Sequence, residues 1–269
     1  MRVSWRILIG ILVLAVLGYA GIMAYFFIRQ RDYQYDRSGR MLELAETALG
    51  NAELVGIPTA GGASLGGWYA PPAAGKPVIL YFRGNTGSFS REHERFEGFA
   101  AEGYGFLGFD YRGFPGSPGE ITQEHALEDS LAAFDWLQQK GYPIVIWGRS
   151  LGSGPATYTA SRRGARALLL ESPFTSAVAY AARHYRYLPV ELLVRDQYPV
   201  SEWIRAVTEP LYVAHGADDD VNTAEEGRRV YALAPNPTDI WIEPGGNHDN
   251  LWEHGIWGRA KAFFAAAMR

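Results

Sequence analysis

Cysteine is absent from the 269 residues. That excludes disulfides, thiolate zinc sites, iron–sulfur clusters and cysteine nucleophiles together. An excess of positive charge is also missing: 25 Lys and Arg face 29 Asp and Glu, a formal net charge of −4. General nucleic-acid binders neutralise phosphates with clustered Lys and Arg, so no nucleic-acid partner is expected. Neither G-x-x-x-x-G-K-[ST] nor H-E-x-x-H occurs, and Gly61-Gly62 and Gly66-Gly67 open no phosphate loop. Asp218-Asp219-Asp220 lacks the alternating acids and the glycine of a calcium loop. No nucleotide, cofactor or metal is implied. Internal repeats and low-complexity tracts are absent too.

Apolar residues, by contrast, are plentiful at 48%, enough for one large core. No residue from Ile7 to Ile28 is charged. As a helix that stretch is about 33 Å long at ~1.5 Å per residue. It suffices for a bilayer core of ~30 Å. Trp5 at one end and Tyr25, Phe26 and Phe27 at the other suit an interfacial belt. An uncleaved anchor is therefore expected. The alternative is a signal peptide cut at Gly18-Tyr19-Ala20, but the apolar run continues past that site with no polar region. Arg2 and Arg6 precede the run, and Arg29, Arg31, Arg37 and Arg40 follow it, so the positive-inside rule gives no direction. A single N-terminal anchor is expected to leave the domain on the extracytoplasmic side. The expected organisation is an anchor over 1–30, a linker over 31–51 and a catalytic domain over 52–269.

Short apolar runs alternate with helical patterns along that domain. Trp68-Tyr69-Ala70 leads into a proline turn. Val78–Phe82, Phe106–Phe109, Ile144–Trp147, Ala167–Leu170, Leu211–Ala214 and Ile240–Ile242 follow. Unbroken rather than alternating runs mark strands buried on both faces, as in a parallel sheet. Helical spacing recurs between Thr122 and Lys140, from Ala224 to Ala234 and from Asn250 to Met268. This alternation predicts an α/β fold with a mostly parallel central sheet and helices on both faces. Chemistry in such folds gathers at the carboxyl ends of the strands.

Gly148-Arg149-Ser150-Leu151-Gly152 fits G-x-S-x-G, follows an apolar strand and opens a helix. That context is the nucleophile elbow, a tight turn that lifts the serine hydroxyl clear of the sheet. A serine hydroxyl needs a base, and the base needs an orienting carboxylate. On this elbow the chain order is Ser, acid, His. Asp218, Asp219 and Asp220 follow one strand, and His248 follows the next, placed at the opening of the last helix. His93 and His125 precede the serine, His184 lies in an insertion, His215 in the turn before the acids and His254 inside the final helix. The residues alone do not choose among the three aspartates.

The chain resembles the α/β-hydrolase superfamily, and within it the Bem46-like branch, over about residues 52–269. The resemblance rests on Tyr81-Phe82-Arg83-Gly84-Asn85, Asp110-Tyr111-Arg112-Gly113, the elbow, and Glu171-Ser172-Pro173-Phe174-Thr175-Ser176. It also rests on His215-Gly216-x-x-Asp219-x-Val221 and Gly246-Asn247-His248. It implies Asp219 as the acid, from the pattern H-G-x-x-D, and an N-terminal membrane segment, which many relatives carry. It also implies an oxyanion hole from the backbone N–H groups of Leu151 and Asn85. Arg83 stands where histidine is common. It either pins its loop through Asp110 or Tyr111 or offers charge to an anionic substrate. The insertion at about 176–207, rich in Tyr and Leu, is expected as a helical cap over the serine. The expected function is a membrane-anchored serine hydrolase acting on carboxylic esters or thioesters, its substrate a small-molecule or lipid-like acyl compound. Amide cleavage and non-catalytic binding are the alternatives.

Overall fold

The computed structural model describes residues 5–269. Arg2, part of the expected positive flank, lies outside the described residues.

One eight-stranded sheet organises the chain. Its strands are β1 (Glu53–Pro58), β2 (Ser64–Ala70), β3 (Val78–Phe82), β4 (Gly105–Phe109), β5 (Ile144–Arg149), β6 (Leu168–Glu171), β7 (Leu211–Gly216) and β8 (Pro237–Glu243). They lie in the order β1-β2-β4-β3-β5-β6-β7-β8. The β1–β2 and β2–β4 pairs are antiparallel and all the others parallel. β1 was not anticipated. It is an edge strand with mostly exposed positions and carries a glycine and a proline, so no apolar run marks it.

The helices are α1 (Trp5–Gln34), α2 (His93–Ala101), α3 (Gln123–Gln138), α4 (Ser153–Ala160), α5 (Ala177–His184), α6 (Val190–Leu193), α7 (Val200–Trp203), α8 (Ala224–Leu233) and α9 (Ile256–Ala267). Thr122 starts α3 where the sequence places it, its hydroxyl accepting from His125 N. Side chains alternate across each strand, yet both faces are apolar. Val78, Leu80 and Phe82 of β3 join the core under α3, α4 and α8. Ile79 and Tyr81 join the core under α2 and α9. This double burial explains the unbroken runs. The second core is largely aromatic, with Phe96 stacked on Phe106 at 4.9 Å between centroids and Phe99 against Trp257 at 4.8 Å. Each such ring buried stabilises by about 1.5–3 kcal/mol.

Three expectations shift. The last helix begins at Ile256 rather than Asn250, because Asn247 and Asn250 close a side-chain turn on each other and Gly255 takes φ +88°. His248 therefore sits in that turn, and His254 precedes the helix. The 176–207 insertion is not long helices but short pieces, α5, α6 and α7 with a final 3-10 turn, broken by Pro189 and Pro199. The apolar helix continues to Gln34, into the stretch read as linker. Beyond it Tyr35 and Leu49 are buried in the domain.

α1 is long and apolar enough to cross a membrane; none of its residues is fully buried, though Phe26, Gln30, Arg31 and Gln34 near its C-terminal end are half-buried.

Candidate active site

β5 ends at Arg149, and Ser150 takes φ +51°, a left-handed conformation that a side chain rarely adopts. A 3-10 turn over Ser150–Gly152 then leads into α4. The elbow demands its glycines. A Cβ on Gly148 would lie 2.5 Å from the Ala156 Cβ, and one on Gly152 would lie 2.1 Å from the Phe82 carbonyl oxygen. Ser153 Oγ donates to the Ser150 carbonyl at 2.7 Å and braces the turn.

The structure brings Ser150, His248 and Asp219 together from three strand ends. Ser150 Oγ lies 2.8 Å from His248 Nε2, and His248 Nδ1 lies 2.8 Å from Asp219 Oδ2. Asp218 and Asp220 are exposed, whereas Asp219 is buried. Its other oxygen, Oδ1, accepts from the backbone N–H of Val221 at 3.0 Å and of Asn222 at 2.8 Å. Burial by itself raises the Asp219 pKa. Hydrogen bonds from His215 and His248 outweigh it and hold the carboxyl well below the usual carboxylate range. The group is thus an acceptor at neutral pH, and it favours the tautomer in which His248 Nδ1 carries the proton and Nε2 accepts from the serine.

Sequence reasoning passed over two contributors. His215, which lies on β7 and not in the turn, is fully buried with Nε2 3.2 Å from Asp219 Oδ2 and 2.7 Å from the Asn222 carbonyl. A carbonyl only accepts, so Nε2 carries the proton, and His215 steadies the acid from behind. The H-G-x-x-D spacing held the signal. Arg149, the variable residue of the elbow, donates to the His248 carbonyl and to Asp249. Beneath it lies a buried charge cluster. Arg95 grips Glu171 with two bonds of 2.8 and 2.9 Å, and Trp147 Nε1 donates to Glu171 at 2.9 Å. Tyr81 donates to Glu92. Burial pushes Glu92 up, but Arg149 and Arg95 bring it net below its ordinary value. No sequence motif announces this cluster.

A cleft of about 110 Å³ opens over Ser150. Asn85 and Leu151 both line it, beside Phe174, Tyr180 and Asn222. Tyr33 and Gln34 line it as well, from the stretch expected to be a linker. The loop carrying Asn85 is pinned by the same stretch: Asp36 N donates to the Asn85 carbonyl at 3.0 Å, and Asn85 Nδ2 donates to the Gln34 carbonyl at 3.3 Å. Arg83 is buried, its Nη1 3.6 Å from Asp110 and its guanidinium 4.3 Å over the Phe114 ring. Asp110 in turn accepts from Phe89 N and Gly116 N. Of the two roles considered for Arg83, this placement favours fastening the loops after β3 and β4.

His93 pairs with Glu97, His125 Nδ1 donates to the Glu120 carbonyl, His184 lies against Tyr180 and His254 pairs with Glu243.

Residues 73–195 match the family described as serine aminopeptidase, S33 (Hydrolase_4). The chain is 34% identical over 237 residues to the uncharacterized protein Rv2307c of Mycobacterium tuberculosis, covering 86% of this chain and 84% of that one. It is 34% identical over 190 residues to the lysophosphatidylserine lipase ABHD12 of Rattus norvegicus, covering 62% of this chain but only 48% of the relative. Among solved structures, the esterase Pf2001 of Pyrococcus furiosus superposes with a TM-score of 0.71 at 21% identity, over 88% of this chain and 100% of the esterase. The fold, the serine elbow and these likenesses agree: the chain belongs to the α/β-hydrolase superfamily, as an enzyme of the serine-hydrolase type.

Proposed function

We propose that the chain is a membrane-anchored serine hydrolase that cleaves carboxylic esters or thioesters through an acyl-Ser150 intermediate. The observation that carries the reading is the unbroken hydrogen-bond chain from Ser150 through His248 to Asp219. Ser150 Oγ attacks the carbonyl carbon while His248 Nε2 takes its proton. The carbonyl electron pair moves onto oxygen, where the Leu151 and Asn85 backbone N–H groups receive the charge. As the C–O or C–S bond breaks, His248 returns the proton to the leaving alcohol or thiol. Water, deprotonated by His248, then attacks the acyl-serine, and Ser150 departs with the proton. Asp219 stabilises the imidazolium in both halves.

The relatives' names divide between lipase or esterase and aminopeptidase. An aminopeptidase recognises a protonated α-amine, a task suited to a carboxylate. Among the described residues none that lines the Ser150 cleft is a carboxylate, and this favours the ester reading. α1 as an uncleaved single-pass anchor, with the domain on the extracytoplasmic side, completes the proposal.

Rapid mixing with p-nitrophenyl esters tests the mechanism. A burst of p-nitrophenol stoichiometric with enzyme, followed by slower turnover, is expected from an acyl-enzyme. Cleavage of a peptide amide with no ester hydrolysis would overturn the ester reading.

A further inference from the structure

The foot of α1 does more than tether the domain. Ile22, Phe26, Gln30 and Gln34 recur every fourth residue and so share one helix face. Each of the four lines a hollow. Gln34, with Tyr33, borders the Ser150 cleft. Phe26, Gln30, Tyr33 and Gln34 border a second hollow of about 140 Å³, lined on its far side by the cap residues Ala181, Tyr185 and Leu193. Ile22 and Phe26 border a third, against Tyr185 and Leu188, with Arg183, His184 and Arg186 also in its lining. Neighbouring hollows share walls: Tyr33, Gln34, Ala177 and Tyr180 line the first two, and Phe26, Tyr185 and Leu188 the last two. The hollows therefore lie in a row from Ser150 up the side of the apolar helix.

Among the described residues, none that lines the middle hollow is charged. A charged substrate group finds no counter-charge there, whereas a hydrocarbon chain leaves water. Along α1 the path from Gln34 to Ile22 rises about 18 Å, the reach of roughly fourteen extended methylenes. Its outer end is bordered by Ile22 and Phe26, within the uncharged stretch from Ile7 to Ile28, and on the cap side by Arg183 and Arg186, side chains that suit the level of lipid headgroups.

The wall is fastened in place. The Gln30 side chain donates to the Leu193 carbonyl at 3.0 Å and accepts from Arg195 N at 2.7 Å. Arg31 grips the buried Asp196 with bonds of 2.8 and 3.2 Å. Gln34 Nε2 donates to the Asp196 carbonyl at 3.0 Å, and the Tyr35 hydroxyl donates to the Asp196 carboxylate at 3.1 Å. A mere tether has no use for this set of bonds to the cap.

We infer that the foot of α1 and the cap together form an acyl-chain slot, through which the tail of a bilayer-resident lipid ester lies while its carbonyl reaches Ser150. This rests on the hydrolase reading and adds to it the substrate class and the direction of entry. The membrane helix is then a determinant of specificity, and the lipid enters sideways from the bilayer without crossing water.

Two measurements on the full-length chain in lipid vesicles test it. The first compares p-nitrophenyl palmitate with p-nitrophenyl butyrate. Ala181→Phe and, separately, Leu188→Trp place a ring in the slot. The palmitate-to-butyrate ratio of kcat/KM is expected to fall roughly tenfold or more in each. Fluorophosphonate labelling of Ser150 reports whether each variant is folded. Folded variants with an unchanged ratio would overturn the slot and leave the hydrolase reading standing. The second uses a palmitoyl-length fluorophosphonate with a photoreactive diazirine at its tail. Crosslinks in α1 near Phe26 and in the cap near Tyr185 are expected. Attachment at Ser150 with crosslinks confined to other elements would overturn the slot. Failure of the wild type to react with either the esters or the probe would instead sink the hydrolase reading on which the slot depends.

Discussion

Arg149 holds the backbone of His248: its Nη2 donates to the His248 carbonyl oxygen at 3.3 Å and to the adjoining Asp249 carboxylate at 2.6 Å. The residue beside the serine thus reaches across 99 positions of sequence to fix the loop of His248. Its charge is matched below by Glu92 and Glu171, at 3.7 and 3.6 Å. Arg149→Lys keeps the charge but loses the planar fork that spans these partners. A looser His248 loop should lower kcat by about 10- to 100-fold with KM little changed, since ångström-scale misplacement costs that much. Steady-state kinetics check this, and an unaltered kcat in a folded variant would remove Arg149 from the positioning of the base.

Of the three adjacent aspartates, Asp219 alone faces the histidines. Asp219→Asn should therefore lower kcat on the order of 10⁴-fold, because the far ring nitrogen loses its carboxylate. Asp218→Asn and Asp220→Asn change exposed side chains and should stay near wild type. The three variants assayed side by side decide it, and a dead Asp218→Asn would move the register by one residue.

Acid should act through the same carboxylate. Asp219 has a depressed pKa in the folded chain, so the unfolded chain binds the proton more readily. Its contribution to stability is then complete above its ordinary value of about 3.9 and is lost as the pH falls below that toward the depressed native value. Urea midpoints of the wild type and Asp219→Asn should differ most near neutrality and converge as the pH drops below about 4. A gap that widens in acid would contradict the assignment.

The elbow was legible in the sequence because its requirements are local: an apolar strand, two glycines where no Cβ fits, and a helix after them. His248 was legible as the histidine following the last strands. The three aspartates were not separable from the residues, since neighbours differ only in the rotation of a short loop. The H-G-x-x-D resemblance picked out the residue whose carboxylate closes that loop on Val221 and Asn222. His215 and Arg149 escaped notice for another reason. Their roles consist of contacts made only after the strands lie side by side. The stretch after α1 misled through composition: its charges and polar residues read as linker, yet Tyr35 packs into the core and Asp36 ties the Asn85 loop.

The anchor makes a separate prediction. Full-length protein should sediment with membranes and resist extraction by alkaline carbonate, as an inserted helix does. A cleaved signal peptide would give a released chain beginning near Gly21. Intact mass of the expressed protein distinguishes the two.

The central claim is that Ser150 is the nucleophile. The most direct measurement is reaction with a fluorophosphonate followed by peptide mapping of the adduct. One adduct on Ser150 is expected, and none in a folded Ser150→Ala variant, whose ester turnover should fall to the residue left by binding and the oxyanion hole. Adduct formation at another residue, or substantial ester cleavage by folded Ser150→Ala, would contradict the account.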